Sequence, residues 1–306
     1  MDSGRSADAE RVFGKAMLVN PDSLAAIFGR AAALQSLTRH SEAAELLDRA
    51  VESHPQSPTA WYNRGAVRMS MGQHAAAEAD FTRALALQPQ SAKLLESRGT
   101  ARAVQGSQSA NGAIQDLQSA LALNPRNPDS WHMLGRSHLS LGQTAEAQAC
   151  WRRALEIAPQ HLQSLLDRGF LLNTQQQYAD ALADFDRVIS IFHNHPAAWQ
   201  GRGIALASLN HEQAAIDSFS EALRTSPDDA LSLFNRAVML SSAKRFADAA
   251  AGLEALLRLV PEYPLARGLL LNARLQLCDW HDLDHHRREI SKALDRGSRV
   301  IHPFAH

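Results

Sequence analysis

Prolines recur along this chain at a nearly fixed step. Pro21, Pro55 and Pro89 stand 34 residues apart, Pro125 follows after 36, and Pro159 after 34. His193 occupies the next expected place, and Pro227 and Pro261 then resume the step of 34. A fixed step of this size means that one supersecondary unit is repeated and that each unit packs mainly on its neighbours. A repeat array of 306 residues therefore escapes the division into separate compact cores that its length would otherwise suggest.

Alignment on the prolines brings out the rest of the unit. Position four is large and apolar: Ile27, Trp61, Leu95, Trp131, Leu165, Trp199 and Leu233. Position eight is small: Ala31, Gly65, Gly99, Gly135, Gly169, Gly203 and Ala237. Position twenty is always alanine, at 43, 77, 113, 147, 181, 215 and 249. Position twenty-four reads Leu47, Phe81, Leu117, Trp151, Phe185, Phe219 and Leu253, and position twenty-seven is usually alanine, as at Ala50, Ala84, Ala120, Ala154 and Ala222. The apolar positions fall at helical spacing. Small residues let two antiparallel helices approach, and large ones fill the space between hairpins. Each proline ends a second helix because it cannot continue the hydrogen-bond ladder. Two places later stands a residue able to cap the next helix: Ser23, Ser57, Ser91, Asn127 or Asp229. Pro58, Pro128, Pro196 and Pro264 are expected in the first helical turn, where a missing N–H costs little.

This pattern identifies the chain as a member of the tetratricopeptide repeat family. The expected fold is all-α, a right-handed superhelical solenoid of tetratricopeptide helical hairpins. Seven repeats are expected over 24–263, as 24–57, 58–91, 92–127, 128–161, 162–195, 196–229 and 230–263. The two extra residues of the third fall in its inner turn at 107–112, which is small, polar and expected to be mobile. Residues 1–23 carry Ala9, Phe13, Ala16 and Pro21 at the spacing of a second helix alone. They read as an unpaired N-terminal capping helix, or as the remnant of a longer array. Residues 264–306 read as a divergent C-terminal helical cap and junction.

That junction carries a second resemblance. Cys278-Asp279-Trp280, a charged helix to about Arg296, a glycine and then Pro303-Phe304 resemble the segment that precedes the catalytic domain in bacterial O-linked N-acetylglucosamine transferases and related plant Spindly-type proteins. The resemblance implies a substrate-recognition region of a protein O-glycosyltransferase. No position here matches a catalytic residue of that family. A pyrophosphate-holding strand, Gly-rich turn and helix is also absent from the sequence. No catalytic, cofactor-binding or metal residue is assigned, and no cofactor is expected. The competing reading is a stand-alone adaptor or assembly scaffold, with no link to glycosylation.

Charge is balanced, 31 basic against 32 acidic side chains, which argues against a nucleic-acid partner. Cys150 and Cys278 are the only cysteines, too few for a disulfide framework. The polar N-terminus lacks a secretory core, and no apolar run reaches the length of a membrane span. A cytoplasmic protein that binds proteins or extended peptides, and neither nucleic acid nor membrane, is the expectation.

The binding residues are expected on the first helices, which line the inner groove in this family. Position six gives Asn63, Ser97, Met133, Asp167, Gly201 and Asn235. In the resembled transferases an asparagine ladder at this place grips a peptide backbone, since an amide both donates and accepts. Only Asn63 and Asn235 match. The other inward candidates are Tyr62, His132, Arg136, Gln163, Phe170, Asn173, Gln200 and Phe234.

Other features have bland readings. His281, Asp282, Asp284, His285 and His286 form a cluster in which His281 and His285 would share a helix face if the helix begins by then, but no third-ligand motif accompanies them, and a solvated helix start is the expectation. His193 and His195 mark a worn proline turn. Trp61, Trp131, Trp151 and Trp199 stand at packing positions. Arg30, Arg64, Arg98, Arg168, Arg202 and Arg236 recur before the small residue, and three face a later aspartate: Asp80, Asp116 and Asp184. Where Leu134 replaces arginine, the partner place reads Ala149. Ion pairing between helices explains this best, and an arginine ladder for acidic ligands is the alternative.

Overall fold

The structure, a computed structural model, describes residues 3–280 and 283–296. Those residues form seventeen helices and no strand. After α1 (Ser3–Val19) come seven hairpins. They are α2 (Leu24–Ser36) with α3 (His40–Ser53), α4 (Pro58–Ser70) with α5 (His74–Leu87), α6 (Ala92–Val104) with α7 (Ala110–Leu123), and α8 (Pro128–Ser140) with α9 (Thr144–Ile157). The series continues with α10 (Leu162–Thr174) and α11 (Tyr178–Ile191), α12 (Pro196–Ser208) and α13 (Glu212–Thr225), and α14 (Ala230–Ser242) and α15 (Phe246–Leu259). Two last helices follow, α16 (Ala266–Gln276) and α17 (Leu283–Asp295).

The chain divides into two compact units, residues 1–159 and 160–306. In each, every helix packs on the next, and the first helices of neighbouring hairpins also touch: α2, α4, α6 and α8 in one, α10, α12, α14 and α16 in the other. The first helices thus lie on the tighter, inner side within each unit.

The repeating positions build the core. Alanines 43, 77, 113, 147, 181, 215 and 249 are all fully buried. Leu47, Phe81, Leu117, Trp151, Phe185, Phe219 and Leu253 lie beside them, none more than 1% exposed. The small residue of each first helix is set by this neighbour. A Cβ on Gly203 would lie 2.6 Å from the Phe219 ring, and one on Gly65 2.6 Å from Phe81. Alanine stands beside leucine at Ala31 with Leu47 and at Ala237 with Leu253, whereas a Cβ on Gly99 would lie 2.8 Å from Leu117.

The caps fall where the sequence places them. Ser23, Ser57, Ser91, Asn127 and Asp229 each accept a hydrogen bond from the N–H three residues on. Two histidines do the same: His161 Nδ1 accepts from the Ser164 N–H and His195 Nδ1 from the Ala198 N–H. Trp61, Trp131 and Trp199 are half-buried, and each indole donates to the carbonyl six residues back, on Pro55, Pro125 and His193. His193 thus holds the turn where proline is missing. Trp151 alone of the four is fully buried.

Two expectations need correction. Pro264 does not enter a first helical turn: Leu265 adopts φ +66° and α16 begins only at Ala266. The reversal at Leu265 separates the proline from the helix. The turn of the third hairpin spans only 105–109, and Ala110, Asn111 and Gly112 already belong to α7, with Ala110 fully buried. His281, Asp282 and the terminal segment 297–306 lie outside the described residues.

Candidate functional site

In the first unit, α4 and α6 leave a cleft of about 360 Å³ between them. Tyr62, Ala66 and Met69 form one wall, Lys93, Glu96 and Ser97 the other, and Phe81 the floor. A second cleft of about 160 Å³ adjoins it and shares Tyr62 and Lys93. The Tyr62 ring rests against Phe81, with centroids 5.9 Å apart, and the Lys93 ammonium lies 4.4 Å from the Tyr62 centroid. Glu96 accepts a hydrogen bond from the Asn127 amide at 2.8 Å. The result is an open groove with an aromatic floor, one cation and one anchored carboxylate. Such mixed linings suit a polypeptide, whose backbone is polar and whose side chains are varied.

The remaining expected residues divide by their surroundings. Asn63 is half-buried beside Tyr62 but does not line this cleft. His132 is only 6% exposed, so it offers a ligand little surface. Arg136 and Gln163 are exposed and Asp167 half-exposed. Phe170 sits edge-on to Phe185 at 5.1 Å. Asn173 donates to the Gly201 carbonyl at 2.9 Å, while its own carbonyl oxygen is buried without a partner. Gln200 donates to Asp229 at 2.7 Å, and Phe234 packs on Tyr263. Asn235 is half-buried. Gly201 cannot hold an asparagine in this packing, because a Cβ there would lie 2.3 Å from the Phe185 ring.

Five of the six recurrent arginines, Arg30, Arg64, Arg98, Arg168 and Arg202, form ion pairs between helices. Arg64 grips Asp80 with two bonds of 2.7 and 3.1 Å, Arg98 grips Asp116 at 2.7 and 2.8 Å, and Arg168 grips Asp184 at 2.6 and 2.8 Å. The Asp184 carboxylate, by its hydrogen bonds, raises the Arg168 pKa above its ordinary value. The pairs extend between hairpins in a way the repeat alignment missed. Arg64 also reaches Asp48 of the preceding hairpin, and Arg68 joins the same Asp80. Arg102 bridges Glu78 and Asp116 in the next step along the chain. The Arg64 and Arg202 guanidinium groups further lie over Trp61 and Trp199.

One partner place was misregistered. Sixteen residues separate Arg64 from Asp80 and Arg168 from Asp184, which places Cys150, not Ala149, opposite Leu134. Leu134 and Cys150 share one buried apolar cluster. An apolar pair thus replaces the ion pair in the fourth hairpin, a substitution that cores accept without loss. Burial pushes the Cys150 thiol up to about 11. Cys278 is exposed.

Among the described residues no cluster of three metal-ligating side chains occurs, and no helix is long and apolar enough to cross a membrane.

Family models described as tetratricopeptide repeat match residues 58–91, residues 1–63 and 106–168, and residues 175–230 and 201–264. The chain belongs to the tetratricopeptide repeat family and is a helical scaffold for protein–protein interaction. Human tetratricopeptide repeat protein 6 is 25% identical over 185 residues, covering 60% of this chain and 34% of that protein. Mouse Superkiller complex protein 3 is 26% identical over 126 residues, covering 41% of this chain and 8% of that protein. A probable UDP-N-acetylglucosamine–peptide N-acetylglucosaminyltransferase SPINDLY of Solanum lycopersicum is 29% identical over 93 residues, covering 30% of this chain and 10% of that protein. The chain therefore spans about a third or less of these relatives. Among solved structures, the APC/C hetero-tetramer Cut9-Hcn1 shares the fold, with a TM-score of 0.65 at 20% identity over 88% of this chain and 52% of that one. A tetratricopeptide repeat protein from Parabacteroides merdae gives 0.57 at 16% identity, over 81% and 97%.

Proposed function

We propose that this chain binds an extended segment of a protein partner along its first-helix face, with the Tyr62–Lys93 cleft as the principal contact. The observation that carries this is the open groove between α4 and α6, where an aromatic floor, a cation and an anchored carboxylate converge. We further propose that the bound proteins are targets of O-glycosylation. The partial likeness to a SPINDLY transferase and the Cys278-Asp279-Trp280 junction support that reading. The competing adaptor reading draws on the Superkiller complex relative, named for the assembly it belongs to.

The test is affinity capture from lysate with wild type and with Tyr62→Ala/Lys93→Ala, both confirmed helical by circular dichroism. Proteins captured by wild type and lost from the variant are the expected result. Equal capture by both removes the groove as the site. A lectin blot of the captured set decides between the two finer readings. Enrichment of O-linked N-acetylglucosamine supports the glycosylation reading, and its absence leaves the adaptor.

A further inference from the structure

Arg236 departs from the rule its counterparts keep. Arg30, Arg64, Arg98, Arg168 and Arg202 each donate Nε to a carboxylate, on Glu10, Asp80, Asp116, Asp184 and Asp186, at 2.7–3.1 Å. The Nε of Arg236 is buried and has no hydrogen-bond partner among the described residues.

The repeat register gives the reason. The acid from the same hairpin, at Asp80, Asp116 and Asp184, is replaced in α15 by Gly252. The acid from the preceding hairpin, at Asp48 and Asp186, is replaced in α13 by Ser220, whose hydroxyl donates instead to the Ile216 carbonyl at 2.7 Å. A Cβ built on Gly252 would meet only the Ala237 methyl, at 3.8 Å, which is ordinary contact. The first atom of the aspartate found in the other hairpins could thus be restored at Gly252 without a clash, and Arg236 as a whole is half-buried.

The fourth hairpin shows how this chain gives up the pair altogether, with Leu134 and Cys150 replacing both members. In α14 and α15 only the acid is gone and the cation remains. A guanidinium is always charged and presents a fork that matches a carboxylate, and partial desolvation strengthens the bond it makes to one. We propose that Arg236 anchors a second binding site, in the crease between α13 and α15, which takes the carboxylate of an Asp or Glu side chain of a protein partner into the space beside Gly252. The site is distinct from the first-helix groove and does not depend on it.

The experiment follows the Arg236 Nε–H signal by nitrogen-15 NMR of the full chain, assigned with Arg236→Gln. The probes are N-acetylglutamate amide, which offers a side-chain carboxylate, N-acetylglycine, which offers a terminal one, and inorganic phosphate. A saturable shift is expected with the glutamate probe in wild type. In Gly252→Asp the signal should already be displaced, because the acid is restored in place, and should no longer respond. Absence of a saturable shift in wild type overturns the proposal, as does an equal response in Gly252→Asp. A shift with N-acetylglycine or phosphate and none with the glutamate probe overturns the side-chain assignment.

Discussion

His195 shows how much a single atom decides in this fold. Its Nδ1 caps α12 only while it carries no proton, and burial holds its pKa below the ordinary 6.5. The neutral ring is the form that supports folding. The stabilisation it gives is therefore present above about pH 6.5 and declines as pH falls through the lower folded value. A serine would cap without titrating. In urea melts, the advantage of His195→Ser over wild type should grow from about pH 7 to about pH 5. A difference that stays constant across that range contradicts the capping role. Sequence reading placed His195 at the worn turn but did not name it or His161 as caps. Histidine is a poor guide here because only one tautomer offers a lone pair to the helix. Serine, asparagine and aspartate accept in every form at neutral pH, and the caps they make at Ser23, Ser57, Ser91, Asn127 and Asp229 were legible for that reason.

At the scale of the element, four hairpins are closed by a glycine–aromatic contact and three by an arginine–aspartate pair between their two helices. Arg168 and Asp184 give the cleanest pair, since Asp184 is 4% exposed and each is the other's chief partner. Removing one member leaves a largely buried charge alone. Arg168→Leu and Asp184→Cys are each expected to cost about 3 kcal/mol. The double variant reproduces the Leu134–Cys150 arrangement of the fourth hairpin and should recover most of that loss, to within about 1 kcal/mol of wild type. Chemical denaturation under reducing conditions measures all three. Additive losses would show that the two residues do not act as a pair. The three aspartates opposite arginine could be read from spacing alone, because both partners lie in one repeat. Asp48 and Glu78 could not, because they pair forward into the next hairpin and stand at different places in their own. The same spacing puts Gly252 opposite Arg236, but only the packed structure shows that the Arg236 Nε is left without a partner among the described residues. Site residues were harder still. Tyr62 lines a groove, whereas Asn173 and Gln200, read from the same face rule, spend their amides on Gly201 and Asp229. A face rule tells which way a residue points, and only the packed neighbours tell what it is free to touch.

Within each of the two units, neighbouring hairpins supply one another's core. Deleting residues 196–229, the α12–α13 hairpin, joins α11 to α14 in the same register, because both junctions carry the same positions. Helicity per residue should persist by circular dichroism while the unfolding midpoint falls. Collapse of all helical signal on that deletion would contradict a nearest-neighbour fold. The proline ladder made this architecture legible before any coordinate, since period, breaker and cap agree on the same boundaries. The first-helix groove at Tyr62 is the proposed seat of a partner protein. The most direct measurement places a photo-crosslinking phenylalanine analogue at Tyr62, and separately at Arg83 on the exposed side of α5, in the chain expressed in its own cell. Irradiation should join a discrete partner to the Tyr62 probe and leave the Arg83 probe without it. A partner that crosslinks from Arg83 and not from Tyr62 would show that the groove is not the binding face.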